Sequence, residues 1–211
     1  MSDKELVHQA IENHRYNPEI LPNLEAYVDY QIANQSYDLD ANLAIMKLYQ
    51  FNPQTTNHAV MAKILAKSLM ALPESDFMLC TYLIPNEVEV TDEVLSLIHM
   101  NTQLETCNFA GFWAKKAEHA VLKAIPGFDE AVREIVLTAL ARSHQGLPSA
   151  TICAMLNCDS AELGKMLVAR GWKTEGAQVK FPLSADNQPK QKVSVDGIKY
   201  GDVSAMLAGM S

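Results

Sequence analysis

The sequence predicts a mainly α-helical protein: an α-helical, HEAT-like repeat followed by a winged-helix domain with a small β-sheet. Two observations lead to this fold class. Roughly the first 125 residues carry apolar side chains at helical spacing, in about seven segments that short, often proline-marked turns separate. Leu147–Pro182 then predicts a helix, a tight turn, a second helix and a two-stranded wing. Because a helix pair needs neighbours to bury its second face, we expect the first part to stack as an array.

Prolines set most of the predicted helix boundaries in this first part. Asn17-Pro18 begins the second helix, Asn52-Pro53 ends the third, and Pro73 and Pro85 end the next two. A proline lacks the amide hydrogen that a helix interior requires, and it disfavours helical geometry in the residue before it. Residues 86–92 are acidic and lack periodicity, so they are predicted as a loop.

The next helix is predicted over Asn108–Ile125, with Phe112 and Trp113 as its bulky core residues. Pro126-Gly127 follows it and is the candidate domain boundary. The predicted domains are a helical-repeat domain over 1–126, a winged-helix domain over 127–200 and a C-terminal tail over 201–211.

The winged-helix prediction depends on capping and turn residues. A long helix is expected to end at Gly146 and lead into the motif. Asn157-Cys158 forms the turn between the two short helices, Asp159 caps the second, and Gly171 ends it. Glu175-Gly176 predicts the turn of the wing hairpin.

Beyond Pro182 the pattern predicts little regular structure. Val193–Val195 and Ile198–Tyr200 flank Asp196-Gly197, which predicts a short hairpin. Asp202 is expected to cap a last helical turn.

The wing strand Ala177–Phe181 is the candidate protein-interaction site. Its alternation turns Val179 and Phe181 toward the core and Gln178 and Lys180 outward. A short strand at a sheet edge leaves backbone donors and acceptors unpaired, which is a template for a strand of another protein. The predicted interface residues are Ala177, Gln178, Val179, Lys180 and Phe181.

Composition limits the class of protein. The 211 residues are 48% hydrophobic, which is enough for the core of one or two domains. No apolar run reaches the roughly 18 residues of a membrane span, and the charged first residues do not resemble a signal peptide. We therefore expect a cytoplasmic protein without a membrane partner, and leave a nuclear presence open. The cysteines lie in apolar helical patterns and are expected to be buried and reduced: Cys80, Cys107, Cys153 and Cys158.

The sequence offers little catalytic chemistry. It contains no nucleophile motif, phosphate-binding loop or metal-ligand spacing, so no catalytic residue, cofactor or metal ligand is predicted. Cys153 and Cys158 lack a second ligand pair, and packing explains them better than zinc. The acidic segment 86–93 favours a solvated loop over a paired-carboxylate site. His99 and His119 are expected on the surface or as hydrogen-bonded core residues.

A winged helix often binds DNA, but the charge pattern disfavours that use. The net charge is −8, with 8 Lys and Arg against 16 Asp and Glu in residues 1–126 and 9 against 9 in residues 127–211. The outward positions of the second short helix carry a single lysine, where a reading helix presents donors and cations. These positions are Ser160, Ala161, Gly164, Lys165 and Val168. Since phosphate attraction dominates nucleic-acid affinity, we predict protein contacts and no sequence-specific DNA binding.

Several stretches of the sequence resemble one family. They are Arg15–Glu19, Tyr37–Gln54, Ser75–Cys80, Leu104–Trp113 and Gly127–Arg133. Together they resemble the PCI-type subunits, and within these the K subunits of eukaryotic translation initiation factor three. Tyr37–Gln54 is the most specific of them, because it is long and unlike a generic amphipathic helix.

The resemblance implies a PCI superhelix with a winged helix, in a non-catalytic subunit of a multiprotein complex that acts on the small ribosomal subunit. It implies other subunits of that factor as partners, with subunit L nearest, and it brings no catalytic residues or cofactor. Two alternatives remain: a subunit of a sister PCI complex (the proteasome lid or the COP9 signalosome), or a winged-helix nucleic-acid-binding regulator.

Overall fold

The computed structural model describes residues 3–85, 87, 89–189 and 199–210, most of them helical. The helices before residue 126 are α1 (Asp3–His14), α2 (Leu21–Ala33), α3 (Leu39–Phe51), α4 (His58–Leu69), α5 (Asp76–Tyr82), α6 (Asp92–Glu105), α7 (Phe109–Lys116) and α8 (Ala120–Lys123). Short 3₁₀ turns over Pro18–Ile20 and Pro53–Thr55 precede α2 and follow α3. None of the described helices is long and apolar enough to cross a membrane.

Side-chain caps set where several of these helices begin. The Asp38 carboxylate accepts from the amide of Ala41 at 3.3 Å, which starts α3. Asn57, Thr91 and Asn108 cap α4, α6 and α7 in the same way. Each cap satisfies an amide that the first helical turn leaves without a partner, worth about 1 kcal/mol. The capping residue and the following apolar stripe therefore explain these helix starts from local sequence.

Helix α4 lies at the centre of the array and packs against α2, α3, α5, α6 and α8. Ile64, Leu65 and Leu69 on this helix are completely buried. Burial of one such side chain contributes roughly 1.5–3 kcal/mol. The neighbouring helices also pack on one another in chain order, from α1 on α2 and α3 to α6 on α7. This packing confirms the predicted helical architecture, while the domain boundary at residue 126 stays a prediction.

The single helix predicted over Asn108–Ile125 is wrong. Helix α7 ends at Lys116, a turn follows, and His119 precedes the short helix α8. His119 and Leu122 are both buried, and α8 packs against α4. The turn redirects the chain onto α4, so tertiary packing overrides a sequence without a helix breaker.

The winged-helix part contains three helices and a three-stranded sheet. Its elements are α9 (Phe128–Ser143), β1 (Gly146–Pro148), α10 (Ser149–Leu156), α11 (Ser160–Ala169), β2 (Lys173–Glu175) and β3 (Gln178–Lys180). The antiparallel strand order is β1-β3-β2, with β3 in the centre. Leu163, Leu167, Val179 and Phe181 are buried between the helices and the sheet. The predicted winged helix with a small sheet is therefore confirmed.

The local capping predictions in this motif hold. Asn157 takes a left-handed conformation with φ of 48° and ends α10. The Asp159 carboxylate accepts from the amide of Glu162 at 2.7 Å and starts α11. Gly171 has φ of 66° after α11, a region that favours glycine.

Two details of the wing were wrongly predicted. Helix α9 ends at Ser143 rather than Gly146, because Gly146 begins β1, a strand that the sequence did not predict. The hairpin loop is Gly176-Ala177 rather than Glu175-Gly176, since Glu175 pairs with Gln178. Gly176 has φ of 62° at the first loop position, as a type II′ turn requires.

The C-terminal predictions meet the structure only in part. Most of the hairpin predicted over Val193–Tyr200 lies outside the described residues, and Tyr200 begins a helix, α12 (Tyr200–Ala208), instead of ending a strand. Lys199 occupies the N-cap position, and Asp202 lies in the first turn. The expectation of uniformly buried cysteines is also wrong: Cys80 is buried, but Cys107 is exposed and Cys153 and Cys158 are half-buried.

Candidate protein-interaction surface

The predicted interface strand has the side-chain orientation that its alternation indicated. Val179 and Phe181 are buried, whereas Ala177, Gln178 and Lys180 are exposed. The prediction that this strand lies at the edge of the sheet with unpaired backbone groups is wrong, however. The strand pairs with β1 on one side and with β2 on the other, so its backbone groups are satisfied within the sheet. The unpredicted strand β1 causes this difference.

Strand β2 is the edge that could accept another strand. All three of its residues are exposed, and within the described residues it pairs on one side, with β3. The pairs Lys173–Lys180 and Glu175–Gln178 flank the pair Thr174–Val179. Antiparallel ladders alternate hydrogen-bonded and non-hydrogen-bonded pairs, so which backbone groups face outward depends on this register.

The hydrogen bonds between β1 and β3 determine which pairs in the sheet are hydrogen-bonded and which are not. The Ser149 amide donates to the Ala177 carbonyl at 2.9 Å, and the Phe181 amide donates to the Gln145 carbonyl at 3.0 Å. Odd-numbered residues of β3 therefore bond toward β1, and even-numbered ones toward β2. It follows that the backbone N–H and C=O of Thr174 point away from the sheet. This residue presents the donor and the acceptor that a partner strand would meet.

The opposite edge is less suited to strand addition. By the same alternation Gly146 and Pro148 of β1 face outward, and a proline has no N–H to donate. The Gln145 side chain, just before β1, also donates to the Asn187 carbonyl at 2.9 Å. The chain that follows β3 therefore covers this end of β1, and β2 remains the better candidate.

The β2 edge carries positive charge at one end. Lys173 lies directly opposite Lys180, and like charges in this arrangement repel each other. A shallow cavity of about 240 Å³ adjoins the two lysines, and Trp172 and Phe181 also line it. The rings of Trp172 and Phe181 meet edge to face with centroids 5.0 Å apart. A partner strand with a carboxylate near this end would relieve the repulsion.

Helix α11, where a DNA-binding winged helix places its reading residues, offers little positive charge. Lys165 is exposed on it, but Val168 is 80% exposed and Gly164 faces open space. Arg170, just beyond the helix, forms an ion pair with Glu134, and its guanidinium carbon lies 4.9 Å from the centre of the Trp172 ring. A surface with so little positive charge is better suited to contact with another protein than with the phosphate backbone of a nucleic acid.

Two polar contacts and one cation–π contact among the described residues join the winged helix to the array. The Trp113 indole nitrogen donates to the Met155 carbonyl at 2.9 Å, and Lys116 pairs with Asp129 at 2.7 Å. The Arg133 guanidinium on α9 lies 6.0 Å from the centre of the Trp113 ring, and within the winged helix it donates to the carbonyls of Leu156 and Asn157 at 3.3 and 3.1 Å. Sequence reasoning placed Trp113 in the core, where it is, but did not predict that it would link the two parts.

Burial is the largest cause of the pKa shifts of the following four titratable groups. Burial raises the pKa of the Cys80 thiol to about 12 and that of Cys158 to about 11, so both stay protonated and poorly reactive. Burial, with a hydrogen bond to Asp76, also raises the pKa of the Tyr37 hydroxyl. Burial lowers the pKa of Lys67. Within the described part of the chain, no group of three or more His, Cys, Asp or Glu is placed to hold a metal.

Comparison with known proteins agrees with this architecture. The family model described as the CSN8/PSMD8/EIF3K family matches residues 55–193, from the last residue of the 3₁₀ turn after α3 to beyond the wing. The chain belongs to this family. The match spans the last helices of the array and the whole winged helix, which confirms the resemblance seen in the sequence.

Curated members of this family are similar along almost the whole chain. The protein named "Eukaryotic translation initiation factor 3 subunit K" of Homo sapiens is 34% identical over 196 residues, which cover 92% of this chain and 90% of the relative. The proteins of the same name from Nematostella vectensis and Culex quinquefasciatus are 32% and 38% identical, again over 92% of this chain and 91% and 88% of the relatives. A continuous match over 92% of this chain includes α2 and α3, which lie before the residues that the family model matches.

Proposed function

We propose that this chain is a non-catalytic subunit of eukaryotic translation initiation factor three and acts in translation initiation as a protein–protein interaction scaffold. The observation that carries this proposal is the 34% identity to the human K subunit over 92% of this chain and 90% of that protein. Coverage of both chains matters, because the similarity extends along nearly all of each and is not confined to a shared module.

The winged helix supports a scaffold in preference to a nucleic-acid regulator. Lys165 is the sole cation on α11, and Val168 lies exposed on the same helix. Sequence-specific DNA binding requires several donors and cations at such positions. The contacts of Trp113 with Met155 and Arg133, and the ion pair of Lys116 with Asp129, hold the winged helix against the array, as suits a scaffold.

We further propose the β2 edge as the place where another subunit adds a strand. Thr174 directs its backbone donor and acceptor outward, and Lys173 and Lys180 favour a partner with a carboxylate. The exposed Gln178 and Lys180 of the neighbouring β3 and Ala177 of the hairpin loop then border the contact, with the buried Val179 and Phe181 supporting it from below. Subunit L of the same factor is the proposed neighbour, the small ribosomal subunit is reached through the complex, and the protein works in the cytoplasm.

Affinity purification of the tagged chain from cytoplasmic extract tests the main proposal. We expect other subunits of the initiation factor, with subunit L among the most abundant, and proteins of the small ribosomal subunit at lower yield. Recovery of proteasome-lid or signalosome subunits in their place would assign the chain to a sister complex. Recovery of specific DNA fragments without these subunits would favour the regulator.

A proline substitution at Thr174 tests whether another subunit adds a strand to the β2 edge. Thr174→Pro removes the outward N–H but leaves the bonds between β2 and β3, so the protein should stay folded and lose its partner. Thr174→Ala keeps that N–H and is the matched control, which should retain the partner. Gln178→Pro on the central strand should instead unfold the sheet. If Thr174→Pro keeps both its melting temperature and its partner, the contact lies elsewhere.

A further inference from the structure

A three-residue pattern occurs twice in the helical array. Tyr16-Asn17-Pro18 and Phe51-Asn52-Pro53 each place an aromatic residue before Asn-Pro. In both, the proline opens a short 3₁₀ turn. The two copies are 35 positions apart in the sequence, yet the fold brings their aromatic rings together.

The rings of Tyr16 and Phe51 contact each other on the protein surface. Their centroids are 5.8 Å apart with an interplanar angle of 66°. The two side chains remain 63% and 58% exposed. Apolar area left in water contributes nothing to folding by burial, so this ring pair does not form part of the core. Grouped exposed aromatic side chains are typical of protein-binding surfaces.

Backbone and side-chain hydrogen bonds hold both segments in place. The Asn17 side chain accepts from the Glu19 amide at 3.0 Å and donates to the Glu19 carboxylate at 3.1 Å. The hydroxyl and the amide of Thr55 both donate to the Asn52 carbonyl, at 2.8 and 2.9 Å. A surface fixed in this way loses little conformational entropy when it binds a partner.

A small cavity lies beside the end of α3 and the 3₁₀ turn that follows it. Gln50 and Pro53, on either side of Phe51 in the sequence, line it together with Tyr82 and Pro85 at the end of α5. The Tyr82 side chain is 73% exposed. The cavity measures about 190 Å³, below the roughly 300 Å³ at which small-molecule sites begin. It therefore suits one or two side chains of a polypeptide rather than a metabolite.

We propose that this aromatic–proline surface, formed by Tyr16, Phe51, Pro53 and Tyr82, binds an extended proline-containing segment of another protein. Proline-rich segments form polyproline II helices, which dock into shallow grooves lined by aromatic rings. Their backbone carbonyls have no internal partners and can accept from donors such as the Tyr82 hydroxyl and the Gln50 amide.

Charge indicates what accompanies the prolines. Glu87 lines the same cavity, and residues 1–126 carry 16 acidic against 8 basic side chains. A basic residue beside the prolines would meet this carboxylate, whereas an acidic one would be repelled. The same charge disfavours single-stranded nucleic acid, which also stacks on aromatic rings but requires a positive groove. This surface is distinct from the β2 edge, and the inference does not rest on the proposed function.

Titration of the full-length chain with synthetic peptides tests the inference. The probe is a peptide of about ten residues composed of prolines with two arginines at one end. Its two counterparts carry glutamates in place of the arginines, or glycine and serine in place of the prolines. We expect the first peptide to bind with a dissociation constant below about 1 mM and both counterparts to bind at least about tenfold more weakly. Chemical shifts of the protein amides measure binding and locate it.

Substitutions of exposed residues test where on the protein the peptide binds. Tyr82→Ala and Phe51→Ala should each weaken binding about tenfold without changing the melting temperature, because both side chains are largely exposed. Tyr200→Ala is the matched control: Tyr200 is 90% exposed on α12 and should leave binding unchanged. Glu87→Gln should reduce the preference for the arginine-bearing peptide.

Three outcomes would overturn the inference. One is equal binding of the glycine–serine peptide, which would make the interaction purely electrostatic. A second is binding of the proline peptide that Tyr82→Ala and Phe51→Ala leave unchanged. The third is no binding of the proline peptide at 1 mM together with tight binding of oligouridylate that Tyr82→Ala abolishes, which would assign the surface to nucleic acid.

Discussion

The indole nitrogen of Trp113 donates a hydrogen bond to the backbone carbonyl of Met155 at 2.9 Å. Trp113 lies on α7 and Met155 on α10, so this bond joins the helical array to the winged helix. Arg133 and Lys116 lie with their charged groups 6.0 Å from the centre of the indole ring. One side chain thus combines ring packing, a hydrogen bond and two cation–π contacts at the junction.

Trp113→Phe should destabilise the protein by about 1–3 kcal/mol. Phenylalanine keeps most of the ring packing but leaves the partly buried Met155 carbonyl without its donor, and that loss sets the magnitude. Chemical denaturation followed by circular dichroism measures the change. Trp172→Phe is the matched control, since Trp172 is half-buried and packs edge to face on Phe181; its cost should be below about 1 kcal/mol. Equal costs for the two variants would show that the hydrogen bond contributes nothing at the junction.

The elements that local chemistry determines were predictable from sequence. Asp159 and Gly171 lie at the two ends of α11 because a carboxylate cap and a left-handed residue act within one helical turn. The alternation of Val179 and Phe181 likewise gave the buried face of the wing strand. These signals need no information from distant parts of the chain.

Strand β1 could not be predicted in this way. Its three residues Gly146–Pro148 include a glycine and a proline, which both disfavour strands, and its partner β3 lies about 30 positions later. Missing β1 made β3 look like an edge and misplaced the candidate interface. The contact between Tyr16 and Phe51 was missed for the same reason, because it depends on how distant turns meet.

Leu163→Asp should unfold the winged helix. Leu163 is 3% exposed, and an unpaired carboxylate in the core costs more than about 3 kcal/mol. Val168→Asp on the same helix is the control, because Val168 is 80% exposed and its replacement should change stability by less than about 0.5 kcal/mol. Amide hydrogen exchange of α10, α11 and the sheet measures the stability of the winged helix in both variants. Full protection of these elements in Leu163→Asp would contradict the observed packing of α11.

Stability should depend on the charge of Asp38 in acid. Burial alone would raise the pKa of this carboxyl, but hydrogen bonds from His8 at 2.7 Å and from the Ala41 amide outweigh burial and lower the pKa below 3.8. A lowered pKa means that the carboxylate stabilises the fold above pH 3.8 and that this contribution disappears as the pH falls through the folded-state value.

Asp38→Asn should therefore cost about 1–3 kcal/mol at pH 7 and progressively less below about pH 4. Asparagine still caps α3 but offers no charge to His8. Urea denaturation at pH 7, 5 and about 3 measures the difference from the unaltered protein. Asp40→Asn is the control, as Asp40 is exposed in the first turn of α3 and should change stability little at any of these values. A difference that stays constant down to pH 3 would mean that the carboxylate charge is not what stabilises this site.

Cysteine alkylation should follow exposure and the pKa of each thiol. Cys107 is exposed and should react with iodoacetamide first. Cys158 is half-buried with its pKa raised to about 11, so it should react more slowly. Cys80 is buried with its pKa raised to about 12, since burial and the charge of Asp76 outweigh a hydrogen bond with Ser68, and it should react only after unfolding. Peptide mapping by mass spectrometry at about pH 8 gives the rate at each position.

Cys107→Ser should remove the fast phase and leave the slower ones unchanged. In urea the remaining cysteines should react at similar rates, because unfolding exposes all of them to water and returns Cys80 and Cys158 to the usual thiol pKa of about 8.5. Labelling of Cys80 at the rate of Cys107 in the folded protein would be inconsistent with the packing of α5 on α4. A slow Cys107 would indicate instead that another element covers the turn between α6 and α7 in solution.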